Sequence, residues 1–340
     1  MGTMYEAMLL DVIMSAILSL GYETGLFLHR YFHQRVLRQK QLPNSLKTIS
    51  VGNIAWGGTG KTPLCAWIAE RKGRDQTAIL SRGYRGGDEA AFLAARGFLV
   101  GKGKDRVAAA ENLLASTSGE KAIRYWVLDD GLQHWRVRRD VEIVCLDALR
   151  PFGVNGKLIP VGSLRERPKE ALQRASAVVI HNASLSESIE DVLAQVKTVI
   201  RPRNIPVVLS EVAITSESLK VLKHSTFPNK WVLLSALGNN DAFFQMMRRL
   251  AKDMQAEIVR EIGFQDHYAF SSTELKVLVR SEGDVALLTT AKDAARCPWI
   301  LQSPWNAYAV EVEWRLLSNA LVEGENNDSN QRFLQLIDQL

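Results

Sequence analysis

The run from Thr48 to Pro63 constrains the fold more than any other stretch. An apolar, β-branched segment, Thr48 to Val51, leads into Gly52-Asn53-Ile54-Ala55-Trp56-Gly57-Gly58-Thr59-Gly60-Lys61-Thr62, and Pro63 stands where a helix opens. Glycines let successive backbone N–H groups converge on one anion, and a helix N-terminus adds partial positive charge. Lys61 can neutralise the β and γ oxygens of a triphosphate, the Thr62 hydroxyl can ligate Mg²⁺, and Pro63 has no N–H to leave unpaired in a first helical turn. The spacing predicts a phosphate loop in which Gly57, Gly58, Thr59, Gly60, Lys61 and Thr62 hold ATP and Mg²⁺. It departs from the usual Gly-x4-Gly-Lys-Thr at Ala55, the first glycine having moved back to Gly52.

Beyond Pro43 short apolar runs alternate with helical stretches. Thr48 to Val51, Thr77 to Leu80, Tyr125 to Leu128, Val141 to Leu146 and Ala177 to Ile180 read as strands, with Pro63 to Glu70 and Arg106 to Ala115 as helices between them. That alternation predicts an α/β protein whose parallel sheet is covered by helices on both faces. A second set, Val207 to Leu209, Trp231 to Ser235, Val285 to Thr289 and Ala307 to Val312, predicts a smaller α/β unit. The polar stretch Ser210 to Lys230 is the expected seam, giving an N-terminal segment over 1–42, a nucleotide-binding core over 43–215 and a C-terminal α/β domain over 216–340. The tract Glu323 to Asn330 is expected to be unstructured from its composition.

The N-terminus is apolar from Met8 to Leu20 and again at Leu26, Phe27, Leu28, Tyr31 and Phe32, but Asp11 and Glu23 leave no uncharged run of the ~20 residues needed to span a bilayer. Asp11, Ser15, Ser19 and Glu23 recur every fourth residue, so a helix here gathers them into one narrow polar stripe against a wide apolar surface. Arg30, Arg35, Arg38, Lys40 and Lys47 follow with no acidic residue among them, as where an interfacial helix meets anionic headgroups. The expectation is peripheral contact with a membrane surface, the alternative being a helix packed on the protein's own core. No secretory or Arg- and Ser-rich leader is visible.

A net charge of +5 suits phosphate-bearing partners as well as a membrane. Nucleic acid is not expected, because Arg136, Arg138 and Arg139 form only a short basic cluster with Trp135 as its sole aromatic. Cys65, Cys145 and Cys297 are odd in number, widely spaced and without CxxC pairing, which indicates neither a disulfide framework nor a zinc site.

The apolar run Trp126 to Leu128 ends in Asp129 and Asp130. A carboxylate at the C-terminal end of a buried strand is where a phosphate-loop enzyme holds its metal, and adjacent carboxylates on extended chain point apart, so one of the two is expected to face Mg²⁺. Asp147, ending the next strand, competes less well for that role.

Several motifs then resemble, in order, those of the tetraacyldisaccharide 4'-kinases: Val51-Gly52-Asn53 with the glycine loop, Leu80-Ser81-Arg82-Gly83-Tyr84, Gly87-Asp88-Glu89, Asp105-Arg106-Val107-Ala108, Asp129 to His134, Gly156 to Pro160 and Leu164-Arg165-Glu166. Ser235 to Gly238, Asp266-His267-Tyr268 and Thr290 to Asp293 continue the match more thinly. The resemblance implies ATP- and Mg²⁺-dependent phosphorylation of the 4'-hydroxyl of a tetraacylated glucosamine disaccharide 1-phosphate at a membrane surface, in lipid A biosynthesis. It implies that Lys61 and Thr62 bind triphosphate and metal, that Asp129 and Asp130 serve the metal, and that Asp88 accepts the hydroxyl proton with His267 as acid–base partner. Glu89, Arg106, His134, Arg165 and Glu166 would complete the site; no obligate protein partner is inferred from the sequence. The short connection from Tyr84 to Asp88 resembles plant members, which implies a mitochondrial location, the bacterial alternative being the cytoplasmic face of the inner membrane. The rival reading is a phosphate-loop NTPase that serves as a nucleotide-driven switch or metal chaperone.

Overall fold

The computed structural model describes residues 2–36, 39–44, 46–56, 59–83, 88–117, 123–266, 268, 270–279, 285–302, 306–317 and 326–340. Twelve strands are seen among them: β1 (Lys47–Asn53), β2 (Thr77–Ser81), β3 (Leu99–Lys102), β4 (Tyr125–Asp129), β5 (Val141–Asp147), β6 (Ala177–His181), β7 (Val207–Ile214), β8 (Lys230–Ser235), β9 (Glu257–Gly263), β10 (Ala286–Thr290), β11 (Asn306–Val310) and β12 (Val312–Leu316). The helices are α1 (Gly2–Tyr31), α2 (Lys61–Lys72), α3 (Asp88–Ala95), α4 (Arg106–Ser116), α5 (Pro168–Arg174), α6 (Ile189–Ile200), α7 (Ser216–Leu222), α8 (Asn240–Met254), α9 (Ser272–Val279), α10 (Ala291–Arg296) and α11 (Asn326–Asp338).

The larger sheet runs β12-β7-β6-β5-β1-β4-β2-β3, and its pairings from β7 to β3 are parallel. Its central strands are buried along almost their whole length, as a sheet with helices on both faces requires. The chain passes from β1 to one side of the sheet and later returns to the other, so β1 marks the switch point at whose C-terminal edge ligands bind in open α/β sheets. The smaller sheet, β11-β10-β8-β9, is also parallel and carries its own apolar clusters.

The two compact units do not follow contiguous boundaries. One contains residues 1–82, 98–211 and 316–340, the other 83–97 and 212–315. The N-terminal segment 1–42 therefore joins the larger unit, and the expected C-terminal domain over 216–340 gives up its last helix. The physical reason for the latter is packing: Phe333 and Ile337 of α11 are fully buried, Phe333 stacks on Trp67 of α2, and Asp338 takes both nitrogens of an Arg71 fork. Conversely α3, between β2 and β3 in sequence, belongs with α10 in the smaller unit, where Lys292 Nζ lies 2.7 Å from Glu89 Oε1.

Two further expectations change. Of the tract Glu323 to Asn330, residues 326–330 open α11, because a stripe at Phe333 and Ile337 gives this polar helix a core to bury against; 323–325 lie outside the described residues. The run Ala307 to Val312 is two strands broken at Glu311, whose backbone N–H goes to Ser218 Oγ and whose carbonyl accepts from Thr215 N–H instead of continuing a ladder.

Candidate active site

The site grows from the strand ends of the larger unit. Gly52 is required on β1 because a Cβ there would lie 2.6 Å from the Leu132 backbone nitrogen. Gly60 sits at φ +68 and a Cβ would meet the buried His181 ring at 2.6 Å, so only glycine lets the chain turn into α2 at that point. The start of α2 has no side-chain cap, which leaves its first N–H groups for an external anion. α2 begins at Lys61, two residues before Pro63.

Thr62 Oγ1 donates to Asp129 Oδ2 at 3.0 Å. Asp129 ends β4, which is paired with β1 so that Val51 and Asp129 lie side by side, and this register brings the loop hydroxyl and the carboxylate together. Asp130 turns away: at φ 55 its carboxylate accepts from Arg165 Nη1 through both oxygens, at 2.8 and 3.0 Å, and stands 3.7 Å from Lys61 Nζ. Burial pushes its pKa up, but Lys61 and Arg165 outweigh burial and hold it below the usual carboxylate range. Asp147 bonds Asn182 Nδ2 and Leu149 N–H, and so is committed elsewhere.

Arg106 is nearly inaccessible. Asp105 caps α4 by accepting from the Val107 and Ala108 N–H groups, which fixes Arg106 at the first helical position, where it donates to the carbonyls of Asp129, at 3.0 Å, and Gly103. His134 has its pKa lowered to about 4, by burial first and then by Arg106 and Arg139, so it is neutral at pH 7; its Nε2 has no hydrogen-bond partner among the described residues. Gln133 donates to Glu166 Oε1 at 2.9 Å and to the Asn53 carbonyl at 3.1 Å. Burial raises the Glu166 pKa, against the pull of Arg174, whose Nη2 is 2.6 Å away.

Thr62 and Arg106 thus meet at Asp129, and Lys61, Asp130 and Arg165 connect through Gln133 to Glu166, while His134 feels Arg106 only electrostatically. Among the described residues, the hydroxyl of buried Thr59 and both amide atoms of buried Asn53 have no hydrogen-bond partner. Glu89 lies in the smaller unit with Lys292. Asp88 opens α3, but its side chain, with Gly57, Gly58 and the whole of His267, lies outside the described residues. Sequence reasoning missed Arg174, Glu142 and His181. Only the position of His181, at the C-terminal end of a buried strand, pointed to it. Arg136 is paired with Asp105, and Arg139 is buried against Glu142 and the Trp135 ring, so these cations are engaged within the protein.

Mg²⁺ takes few protein oxygens and keeps waters and substrate phosphates. The hydroxyl and carboxylate of Thr62 and Asp129 are such a donor set, and the uncapped helix start with its partnerless Thr59 hydroxyl fits a triphosphate. A parallel α/β sheet with a glycine loop, lysine, hydroxyl and strand-end carboxylate at its switch point defines a P-loop nucleotide-binding protein.

The family model for tetraacyldisaccharide-1-P 4'-kinase matches residues 12–325. A probable mitochondrial tetraacyldisaccharide 4'-kinase of Arabidopsis thaliana is 31% identical, over 85% of this chain and 81% of its own length. The tetraacyldisaccharide 4'-kinase of Halothermothrix orenii is 32% identical over 74% of each chain. The crystal structure of the Aquifex aeolicus enzyme in complex with ATP has the same fold, with a TM-score of 0.64 and 23% identity over 95% of this chain and 98% of that one. The chain belongs to the tetraacyldisaccharide 4'-kinase family.

Proposed function

We propose that the protein transfers the γ-phosphate of ATP to the 4'-hydroxyl of a tetraacylated disaccharide 1-phosphate, the reaction of its family in lipid A biosynthesis. The observation that carries the reading is the hydrogen bond between Thr62 and Asp129 at the head of an uncapped helix. Phosphoryl transfer asks of a protein chiefly positioning and neutralisation of charge. Lys61 and the N–H groups of the loop bind the phosphates, and Thr62 and Asp129 hold Mg²⁺, which when bound neutralises charge on the transferring group. Asp130, kept ionised by Lys61 and Arg165, fixes the lysine and serves the metal region. Asp88 takes the proton of the attacking hydroxyl with His267 as its acid–base partner, and Glu89, Arg106, His134, Arg165 and Glu166 orient the sugar and its phosphate.

The acceptor's acyl chains stay in lipid while its headgroup reacts. Among the described residues no helix is long and apolar enough to cross a membrane. α1 nevertheless leaves Ile17, Leu18, Leu20, Phe27 and Leu28 exposed, Leu20 and Phe27 each by 65%, which favours a surface laid on lipid over one packed on the protein's own core. The protein is on this reading peripheral to a membrane.

The test is incubation with γ-labelled ATP, Mg²⁺ and a tetraacyldisaccharide 1-phosphate, followed by product analysis. Label at the 4' position is expected, with incorporation lost in a folded Lys61→Ala variant and turnover lost far more than ATP affinity in Asp88→Ala. ATP hydrolysis that proceeds equally without the lipid, and no labelled product, favours the nucleotide-switch reading and overturns this one.

A further inference from the structure

Among the described residues, the side-chain hydrogen bonds that α1 makes to the rest of the protein fall on one short segment, and Arg30 also lies over the Trp135 ring. The Tyr22 hydroxyl donates to the Arg165 carbonyl at 3.1 Å, Glu23 is gripped through both oxygens by the Arg167 fork, and Arg30 Nη1 donates to Glu170 Oε2 at 2.9 Å. That segment also holds the reaction groups. The Arg165 N–H donates to the Ile54 carbonyl at 2.7 Å, and the Trp56 N–H to the Ser163 carbonyl at 3.0 Å, so its backbone lies along the limb by which the chain leaves β1 and enters the phosphate loop. The Arg165 side chain holds Asp130, which faces Lys61. An unbroken series therefore runs from Tyr22 through Arg165 and Asp130 to Lys61. A helix that served only as an anchor needs its apolar face and nothing more. Exposed ion pairs such as Glu23 with Arg167 add little stability, so their gathering on this segment is not explained by fastening the helix.

We propose that Tyr22 and Glu23 are positioning residues for Arg165, so that α1 sets the geometry of the Asp130–Lys61 pair as well as meeting lipid. The inference rests on reading this network as the kinase centre.

Tyr22→Phe with Glu23→Gln removes the contacts while keeping shape, and Phe27→Ser with Leu28→Ser alters only the exposed face. Phosphate incorporation into detergent-dispersed tetraacyldisaccharide 1-phosphate, co-sedimentation with phosphatidylglycerol vesicles, and hydrogen exchange by mass are measured on both variants. The first is expected to lose about tenfold or more in kcat with unchanged KM for ATP, unchanged vesicle binding, and faster exchange confined to 163–170. The second is expected to lose vesicle binding while exchange over 163–170 stays as in the unmodified protein. Unchanged kcat in the first variant, or a loss that follows vesicle binding or global stability, overturns the proposal. If the unmodified protein labels no acceptor, the kinase reading fails, and exchange alone decides: an unaltered 163–170 segment overturns the positioning role and a loosened one supports it.

Discussion

Gly60 binds two demands into one position. Its φ of +68 disfavours any side chain, and the His181 ring, 3% exposed, occupies the space a methyl would need. Gly156 has the same φ but nothing within 4 Å. Gly156→Ala should therefore cost only backbone strain, about 1 kcal/mol, with ATP affinity intact. Gly60→Ala should weaken ATP binding about tenfold or more by displacing the loop, a difference that calorimetric titration of the two variants measures. The glycine, lysine and threonine were legible because phosphate binding fixes them within a few consecutive residues. Arg165 and Asp130 are 35 residues apart, and their pairing is set by the left-handed turn at Asp130 and by where the chain returns beside Ile54. Neither leaves a local signal, and the ordered motifs alone suggested these residues. The same limit applies to His181, whose role depends on β6 lying in one sheet with β1.

Buried parallel strands announce themselves as apolar runs, and β1, β2, β4, β5, β6 and β8 lie where such runs occur. Elements whose stability comes from one or two contacts do not. The Asn-rich start of α11 carries no helical pattern of its own, and the helix is secured by Phe333 and Ile337 against α2. Phe333→Ala should lower stability by about 3–5 kcal/mol and open 326–340 to protease before the rest of the chain, as urea unfolding and limited proteolysis would register. β9 escaped notice because its residues are mostly half-exposed or exposed, and β12 because it follows β11 after a single residue.

Across the whole molecule, acid acts through buried histidines. Burial takes the pKa of His181 to about 4, and His134 is lowered to about 4 as well. Above pH 6.5 neither folded nor unfolded chain holds the proton. Between 6.5 and 4 the unfolded chain binds it and the folded chain does not, so this contribution to stability falls as pH falls. Asp147, Glu166 and Asp293, raised by burial, act in the opposite sense, so the informative quantity is a difference. Between pH 7 and 5, His181→Gln should reduce the histidine-dependent loss of stability by up to about 2 kcal/mol, read from denaturant unfolding at both values.

The detour of residues 83–97 into the smaller unit has a consequence for biosynthesis. Glu89 and Lys292 are 203 positions apart, so at about 5–20 residues per second the helix Asp88–Ala95 leaves the ribosome roughly 10–40 s before its mate is made. During that interval the nascent α3 has no α10 to lie against, and the waiting falls on the stretch that carries Asp88.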